Sequence, residues 1–297
     1  MNLELGRLGL GTAPLAGLYR PVDEDDASAV VERAWELGIR YFDTAPYYGS
    51  GLAERRLGSA LHRRSRDAFI VSTKIGRLLE PGTPGADWPD APALRSVFDF
   101  SYDAALRSLD GSLDRLQLDC VDIVLVHDPD DHYEEARDGA FRALTRLRDE
   151  GVVHAIGVGM NQTTLLCRFA READPDCFLV AGRYTLLDRS ADEELLPLCE
   201  ERGIAVIAGG VFNSGVLVDG DTYNYEPAPA DILERVARLR AICAGWNVPL
   251  AAAAEQFPLR NPAVVCALVG CRSAAEVEED ARLLEVAVPD ELWAALR

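Results

Sequence analysis

Apolar residues along this chain fall into eight short continuous runs, separated by longer stretches in which they recur every three to four positions. The runs are RLGLGTA (7–13), IRYFDT (39–44), FIVSTK (69–74), DIVLVH (122–127), HAIGVG (154–159), FLVAGR (178–183), IAVIAG (204–209) and VVCALVG (264–270). Short continuous runs rich in Val, Ile and Leu predict parallel strands buried on both faces. The stretches between them read as helices. DASAVVERAWELG (26–38) puts Val30, Ala34 and Leu37 on one face, with Gly38 as a stop. SYDAALRSLDGSLDRLQL (101–118) lines up Leu106, Leu109, Leu113 and Leu116, and ADILERVARLRAICAGW (230–246) is also amphipathic. Eight strand–helix alternations predict an α/β fold, a (β/α)8 TIM barrel forming one domain over 1–297. The competing architecture is a doubly wound sheet. Its dinucleotide fingerprint fails here, because Gly9-Leu-Gly11-Thr-Ala-Pro14 lacks the third glycine.

Two connections interrupt the rhythm, 77–100 and 211–230, both rich in Pro, Gly and aromatic residues. Each follows a predicted strand and so belongs on the C-terminal face, where barrel active sites lie. Trp88, Tyr223 and Tyr225 are candidates for a pocket wall, with Tyr19 beside them; the plainer alternative is that they pin the loops down.

Composition narrows the function classes. The 49 acidic residues against 30 basic ones give a net charge of −19, which argues against nucleic acid or an anionic membrane as partner. Seven cysteines with no C-x-x-C pair, mostly in apolar surroundings, read as reduced thiols of a cytoplasmic protein. No signal peptide and no membrane-spanning run is apparent. The four histidines and the cysteines show no metal-ligand spacing.

Asp43, Lys74 and His127 each end a predicted strand, and Tyr48 lies in the loop after the strand that carries Asp43. Three successive strands would bring all four to one rim. A tyrosine with a pKa of about 10 exchanges protons poorly near neutrality. An adjacent Lys74 ammonium favours the phenolate, Asp43 keeps that lysine charged and oriented, and His127 can hydrogen-bond a substrate oxygen. Such a set suits proton transfer at a carbonyl or alcohol. Each residue alone has a bland alternative: a turn former, a solvated lysine, a structural histidine.

With these residues in place the chain resembles an aldo-keto reductase. The resemblance rests on GLGTAP (9–14), FDTAPYYGSGLAERRLGSAL (42–61), VSTKIG (71–76), VLVHDPD (124–130), GVGMN (157–161), RYTLLDR (183–189) and GCRSAAEVEED (270–280), which run in the family's order. APYYGSGLAERRLG, HDPD and GGVFNSGVL look most like the bacterial sugar dehydrogenases, among them L-fucose and D-threo-aldose 1-dehydrogenases, and pyridoxal 4-dehydrogenase. The resemblance implies hydride transfer between NAD(P) and a small-molecule carbonyl or alcohol, with Tyr48 as general acid or base, Asp43 and Lys74 tuning it and His127 orienting the substrate.

The same resemblance implies a cofactor track along the rim. Gly11, Thr12 and Asp43 begin it, and Asn161 serves the carboxamide. Gly209, Gly210, Phe212, Asn213 and Gly215 follow the seventh strand; no aromatic stands at the place of the usual nicotinamide stack, which falls to Phe212 or is absent. Gly270, Arg272, Ser273, Glu279 and Asp280 belong to the cofactor-binding segment 270–280, where the helix start, backed by Ser273 and Arg272, holds the adenosine phosphate. Gly270 stands for a frequent lysine, and Glu276 and Glu279 flank Arg272, which favours NAD while leaving NADP open. A cofactor-sensing regulatory barrel and a cofactor-free barrel isomerase or aldolase are the alternatives. A monomer or small homo-oligomer is expected.

Overall fold

The structure, a computed structural model, describes residues 3–18, 20–88, 91–224 and 226–296. Its strands are β1 (Leu8–Gly11), β2 (Tyr41–Asp43), β3 (Ile70–Ile75), β4 (Arg77–Pro81), β5 (Leu94–Phe98), β6 (Ile123–His127), β7 (Ala155–Met160), β8 (Cys177–Ala181), β9 (Ala205–Gly209), β10 (Thr222–Tyr223), β11 (Glu226–Pro227) and β12 (Val264–Gly270). Eight of these, β1, β2, β3, β6, β7, β8, β9 and β12, pair in parallel in that order, and β12 returns to β1. Closure excludes the doubly wound sheet. Each predicted run holds one barrel strand. The first is shorter than its run, because Pro14 starts a 3-10 turn over Ala13–Ala16.

Alternation along the strands builds two layers. Tyr41, Ile123, Leu125, Leu179, Ile207 and Leu268 point inward and pack together, with Leu5 joining from just ahead of β1. Phe42, Val71, Val124, Val158, Phe178 and Val206 point outward against Val30, Ala34, Leu57, Leu109 and Phe169 of the surrounding helices. The predicted helices appear as Glu24–Glu36, Tyr102–Leu116 and Ala230–Ala244. Burying each Leu, Val or Phe side chain contributes about 1.5–3 kcal/mol. Interior filling also dictates two glycines. A Cβ on Gly9 would sit 2.5 Å from the Tyr41 ring, and one on Gly157 only 1.8 Å from the Cys177 carbonyl oxygen.

Both long connections carry more order than their composition implies. In the first, β4 and β5 form an antiparallel hairpin with Leu78 opposite Val97. Its alternating strands, RLLEP and LRSVF, are hidden between Pro- and Gly-rich turns. In the second, a 3-10 segment Asn213–Val218 precedes the short pair β10 and β11. Leu217 from this segment joins Leu186, Ile232 and Trp293 in a second core beneath the C-terminal helices. Among the described residues, no helix is long and apolar enough to cross a membrane.

Candidate active site

Residues paired across a parallel ladder lie on the same face, so register identifies the inward-facing positions even where neighbouring strands step up by two residues, as at Asp43–Ser72, Lys74–Leu125, Gly159–Leu179 and Gly209–Leu268. The inward-facing positions nearest the C-terminal rim are Gly11, Asp43, Lys74, His127, Gly159, Ala181, Gly209 and Gly270. One side, contributed by β2, β3 and β6, carries the charged and polar side chains. The other five positions are glycine or alanine, a low floor with room above it. A Cβ on Gly159 would touch Lys74 Cε at 3.5 Å, and one on Gly209 would meet Leu179 Cδ2 at 3.2 Å.

The polar side is assembled through β3. Ile70, Ser72 and Lys74 share its inward face, so a strand that buries an aliphatic residue below presents an ammonium above. Lys74 Nζ lies 2.6 Å from Asp43 Oδ2 and donates to the Thr44 carbonyl at 2.9 Å; both charged side chains are about 2% exposed or less. Ser72 donates its hydroxyl proton to Asp43 Oδ1 at 2.7 Å, and Tyr41, 2.9 Å from Ser72 Oγ, then donates to Ser72. Burial pushes the Tyr41 phenol well above its ordinary value, keeping it a neutral donor. Behind Lys74, Thr73 hydrogen-bonds the fully buried Glu54 at 2.8 Å, and Arg115 pairs with the same carboxylate at 2.6 Å. Through Glu54 the helix Leu52–Leu61 is tied to β3 by Thr73 and to the helix Tyr102–Leu116 by Arg115.

Tyr48 lies in the tight turn between β2 and that helix, where Gly49 and Gly51 adopt left-handed φ of +60° and +85°. The turn folds the tyrosine back over the rim. Lys74 Nζ stands 4.8 Å from the centre of its ring, and the His127 ring lies edge-on at 5.8 Å. His127 is held well below its ordinary value, first by burial and then by the Lys74 and Arg77 charges, so it is neutral at pH 7. Trp88, arriving from the β4–β5 hairpin, packs against Tyr47 at 5.6 Å and Tyr48 at 6.1 Å. Its indole nitrogen and His127 Nδ1 are buried with no hydrogen-bond partner among the described residues. Such orphans are rare in a folded interior.

Of the other expected site residues, Thr12 is fully buried and spends both its N–H and its hydroxyl on the Asp43 carbonyl, locking β1 to β2. Asn161 follows β7, and its carbonyl accepts from Arg183. Gly210 and Asn213 have positive φ, and so do Ser214 and Gly215, giving a left-handed turn after β9 whose Asn213 amide donates to the Gly182 carbonyl at 3.4 Å. Phe212 is half-buried against both outer cores. Ser273 caps the helix Ala274–Leu283 by accepting from the Glu276 N–H. Arg272 is occupied by Glu276, whose carboxylate accepts its backbone N–H at 2.7 Å and faces its guanidinium at 3.4 Å. Glu279 pairs with Arg282 at 3.0 Å. Asp280 is nearly buried, accepts from the Cys271 thiol at 3.2 Å and is pushed up to about 6, mainly by desolvation. Gly270 abuts Pro14, which a Cβ would meet at 2.8 Å. Tyr223 packs against the second core. Tyr19 and Tyr225 lie outside the described residues.

Four contributors escaped the sequence: Ser72, Tyr47, Arg77 and Asp128. Alternation along β3 was the available signal for Ser72. Arg77 and Asp128 meet only through the hairpin, which no local pattern reveals.

The Aldo/keto reductase family model matches residues 7–297. Pyridoxal 4-dehydrogenase of Microbacterium luteolum is 43% identical, covering 100% of this chain and 94% of that protein. D-threo-aldose 1-dehydrogenase of a Pseudomonas species is 42% identical over 99% of this chain and 94% of that protein. Among solved structures, an aldo-keto reductase from Bacillus halodurans in its holo form superposes with a TM-score of 0.81 at 26% identity, covering 99% of this chain and 92% of that one. With the parallel barrel, the charged half-rim and the family match in agreement, the chain belongs to the aldo/keto reductase family and is an oxidoreductase.

Proposed function

We propose that this enzyme moves a hydride between a nicotinamide dinucleotide and the carbonyl or alcohol carbon of an aldose or a small aldehyde, with Tyr48 as general acid or base. The observation that carries it is the Lys74 ammonium, buried between the Asp43 carboxylate and the face of the Tyr48 ring. A buried cation at that place favours negative charge on the phenol oxygen.

The residues present fit a nicotinamide dinucleotide. The five small rim residues bring no bulky side chain to their side of the barrel mouth, which suits the close approach of a planar nicotinamide ring. The left-handed turn at 213–215 costs about 1–2 kcal/mol per non-glycine residue, and a turn held at that cost beside the floor suits a diphosphate. The capped helix at Ser273 offers backbone N–H groups to the distal end. When bound, the nicotinamide supplies or accepts the hydride at the substrate carbon.

In reduction, Tyr48 gives its proton to the carbonyl oxygen; in oxidation it takes one from the hydroxyl. Lys74 stabilises the phenolate left or used in that exchange, and Asp43, fixed by Ser72, keeps the ammonium from swinging away. Neutral His127 donates an N–H to the same substrate oxygen and fixes its direction without competing as an acid. Trp88 and Tyr47 cover the reacting atoms and exclude water.

NAD is the preferred cofactor in this proposal. Glu276 already occupies the Arg272 N–H and guanidinium, so a 2′-phosphate would displace a carboxylate and then lie beside it. The family likeness supports aldose or pyridoxal-like substrates, through the names of the two relatives above. The test is Tyr48→Phe, assayed at 340 nm with aldoses, pyridoxal and simple aldehydes in both directions. Turnover is expected to fall by roughly 10²–10⁴-fold while NADH still binds; unchanged turnover would remove Tyr48 from the mechanism.

A further inference from the structure

Arg77 opens β4 directly after the β3 rim, and Asp128 follows His127 at the end of β6. Arg77 Nη2 donates to Asp128 Oδ2 at 2.7 Å. The guanidinium lies between the Tyr47 ring at 4.3 Å and the Phe98 ring at 4.5 Å, so this pair helps to fasten the hairpin to the rim. In a regular strand the residue after inward-facing His127 would face outward. Asp128 instead adopts a left-handed φ of +44°, and its carboxylate returns to 3.5 Å from His127 Nε2. Asp and Asn tolerate that conformation better than other side chains. Arg77 holds Oδ2, whereas none of the described residues donates to Oδ1. The side chain is one-third exposed, within reach of a substrate.

This arrangement sets a donor beside an acceptor. The His127 N–H matches a carbonyl oxygen, and the Asp128 carboxylate matches a hydroxyl proton. His127 Nε2 lies 3.5 Å from Asp128 Oδ2, the oxygen Arg77 holds, so Oδ1 of the same carboxylate stands beside the imidazole, and the two groups can take the two neighbouring oxygens of an α-hydroxy aldehyde or of an aldose. We propose that Asp128, braced by Arg77, is a specificity-determining residue that accepts a hydrogen bond from the hydroxyl on the carbon next to the reacting one. The proposal rests on Tyr48 and His127 gripping the reacting oxygen. A plain aldehyde then leaves a partly desolvated carboxylate oxygen without its donor, which is how a site built for a hydroxyl rejects an analogue lacking it.

The test compares two substrate pairs, glyceraldehyde against propanal for reduction and an aldose against its 2-deoxy counterpart for oxidation. Wild type, Asp128→Ala and Asp128→Asn are measured, with NADH titration and thermal melting as checks on folding. Wild type is expected to prefer the hydroxylated member. In Asp128→Ala the ratio of kcat/KM between the two members should fall by roughly tenfold or more, chiefly through KM. Asp128→Asn keeps the left-handed turn and should fall in between; it carries the comparison if the alanine variant does not fold. Loss on both members with an unchanged ratio would reduce Asp128 to a prop for His127 and overturn the proposal. So would a wild type that does not distinguish the members. Either result leaves the Tyr48 mechanism standing, since that depends on Tyr48→Phe.

Discussion

Replacing Lys74 by Met separates the structural from the chemical role of the buried pair. The two side chains have similar length, so the change removes a charge and three donors with little loss of volume. Lys74 Nζ and Asp43 Oδ2 are 2.6 Å apart. At an effective dielectric near 20, two unit charges at that distance attract by about 6 kcal/mol. Desolvation of both groups offsets part of this, and breaking such a pair typically costs about 3–5 kcal/mol because one charge is left buried. The remaining Asp43 carboxylate keeps only the Ser72 hydroxyl at 2.7 Å, and the Thr44 carbonyl loses its donor. For a chain of this size the thermal midpoint should drop by roughly 5–15 °C. Urea unfolding followed by circular dichroism measures the loss directly. The double variant Asp43→Asn/Lys74→Met, which leaves no buried charge unpaired, should regain most of the stability but none of the turnover. A single variant as stable as wild type, or a double variant no more stable than the single one, would refute the argument.

Three other outcomes follow from the geometry. Gly157→Ala places a methyl 1.8 Å from a backbone carbonyl and should cost at least about 3 kcal/mol by urea unfolding, whereas Gly209→Ala meets only the movable end of Leu179, should cost less than about 1 kcal/mol, and should weaken NADH binding by fluorescence titration. Glu255 is fully buried with neither oxygen hydrogen-bonded among the described residues, and desolvation with the nearby Asp280 pushes it up to about 9. Its folded value exceeds the unfolded value of about 4.3, so wild-type stability drains away as pH rises between the two, and the advantage of Glu255→Leu in urea unfolding should grow from pH 5 to pH 9; a flat difference would contradict this. Glu276→Arg should release Arg272 and improve the kcat/KM ratio of NADP over NAD by roughly tenfold or more, and an unchanged ratio would move the discrimination elsewhere.

The barrel was legible because two periodicities, unbroken apolar runs and helical stripes, alternate along nearly the whole chain. The charged half of the rim was legible for a related reason: Asp43, Lys74 and His127 end runs whose length sets how high each side chain stands. The glycine half could have been read the same way. Gly159, Gly209 and Gly270 close three of those runs, and a run ending in glycine at the rim signals space as surely as one ending in lysine signals charge. What the sequence withheld is what depends on contacts between distant segments. Glu276 lies four residues from Arg272, yet its capture of that arginine depends on the cap geometry at Ser273. Arg77 and Asp128 are 51 positions apart, and their meeting requires both a hairpin hidden among prolines and a left-handed turn at a residue without special composition. Glu255 reads as one polar residue on an alanine-rich helix, and only packing reveals that both its oxygens are dry. The division has a physical basis. Backbone periodicity fixes where the reacting groups stand, because strand ends share one rim by construction. The carboxylate proposed to select among substrates sits on a turn braced by a hairpin, and no local pattern encodes its position. The set proposed for proton transfer was therefore visible in the sequence, while the carboxylate proposed to choose among substrates was visible only in the fold.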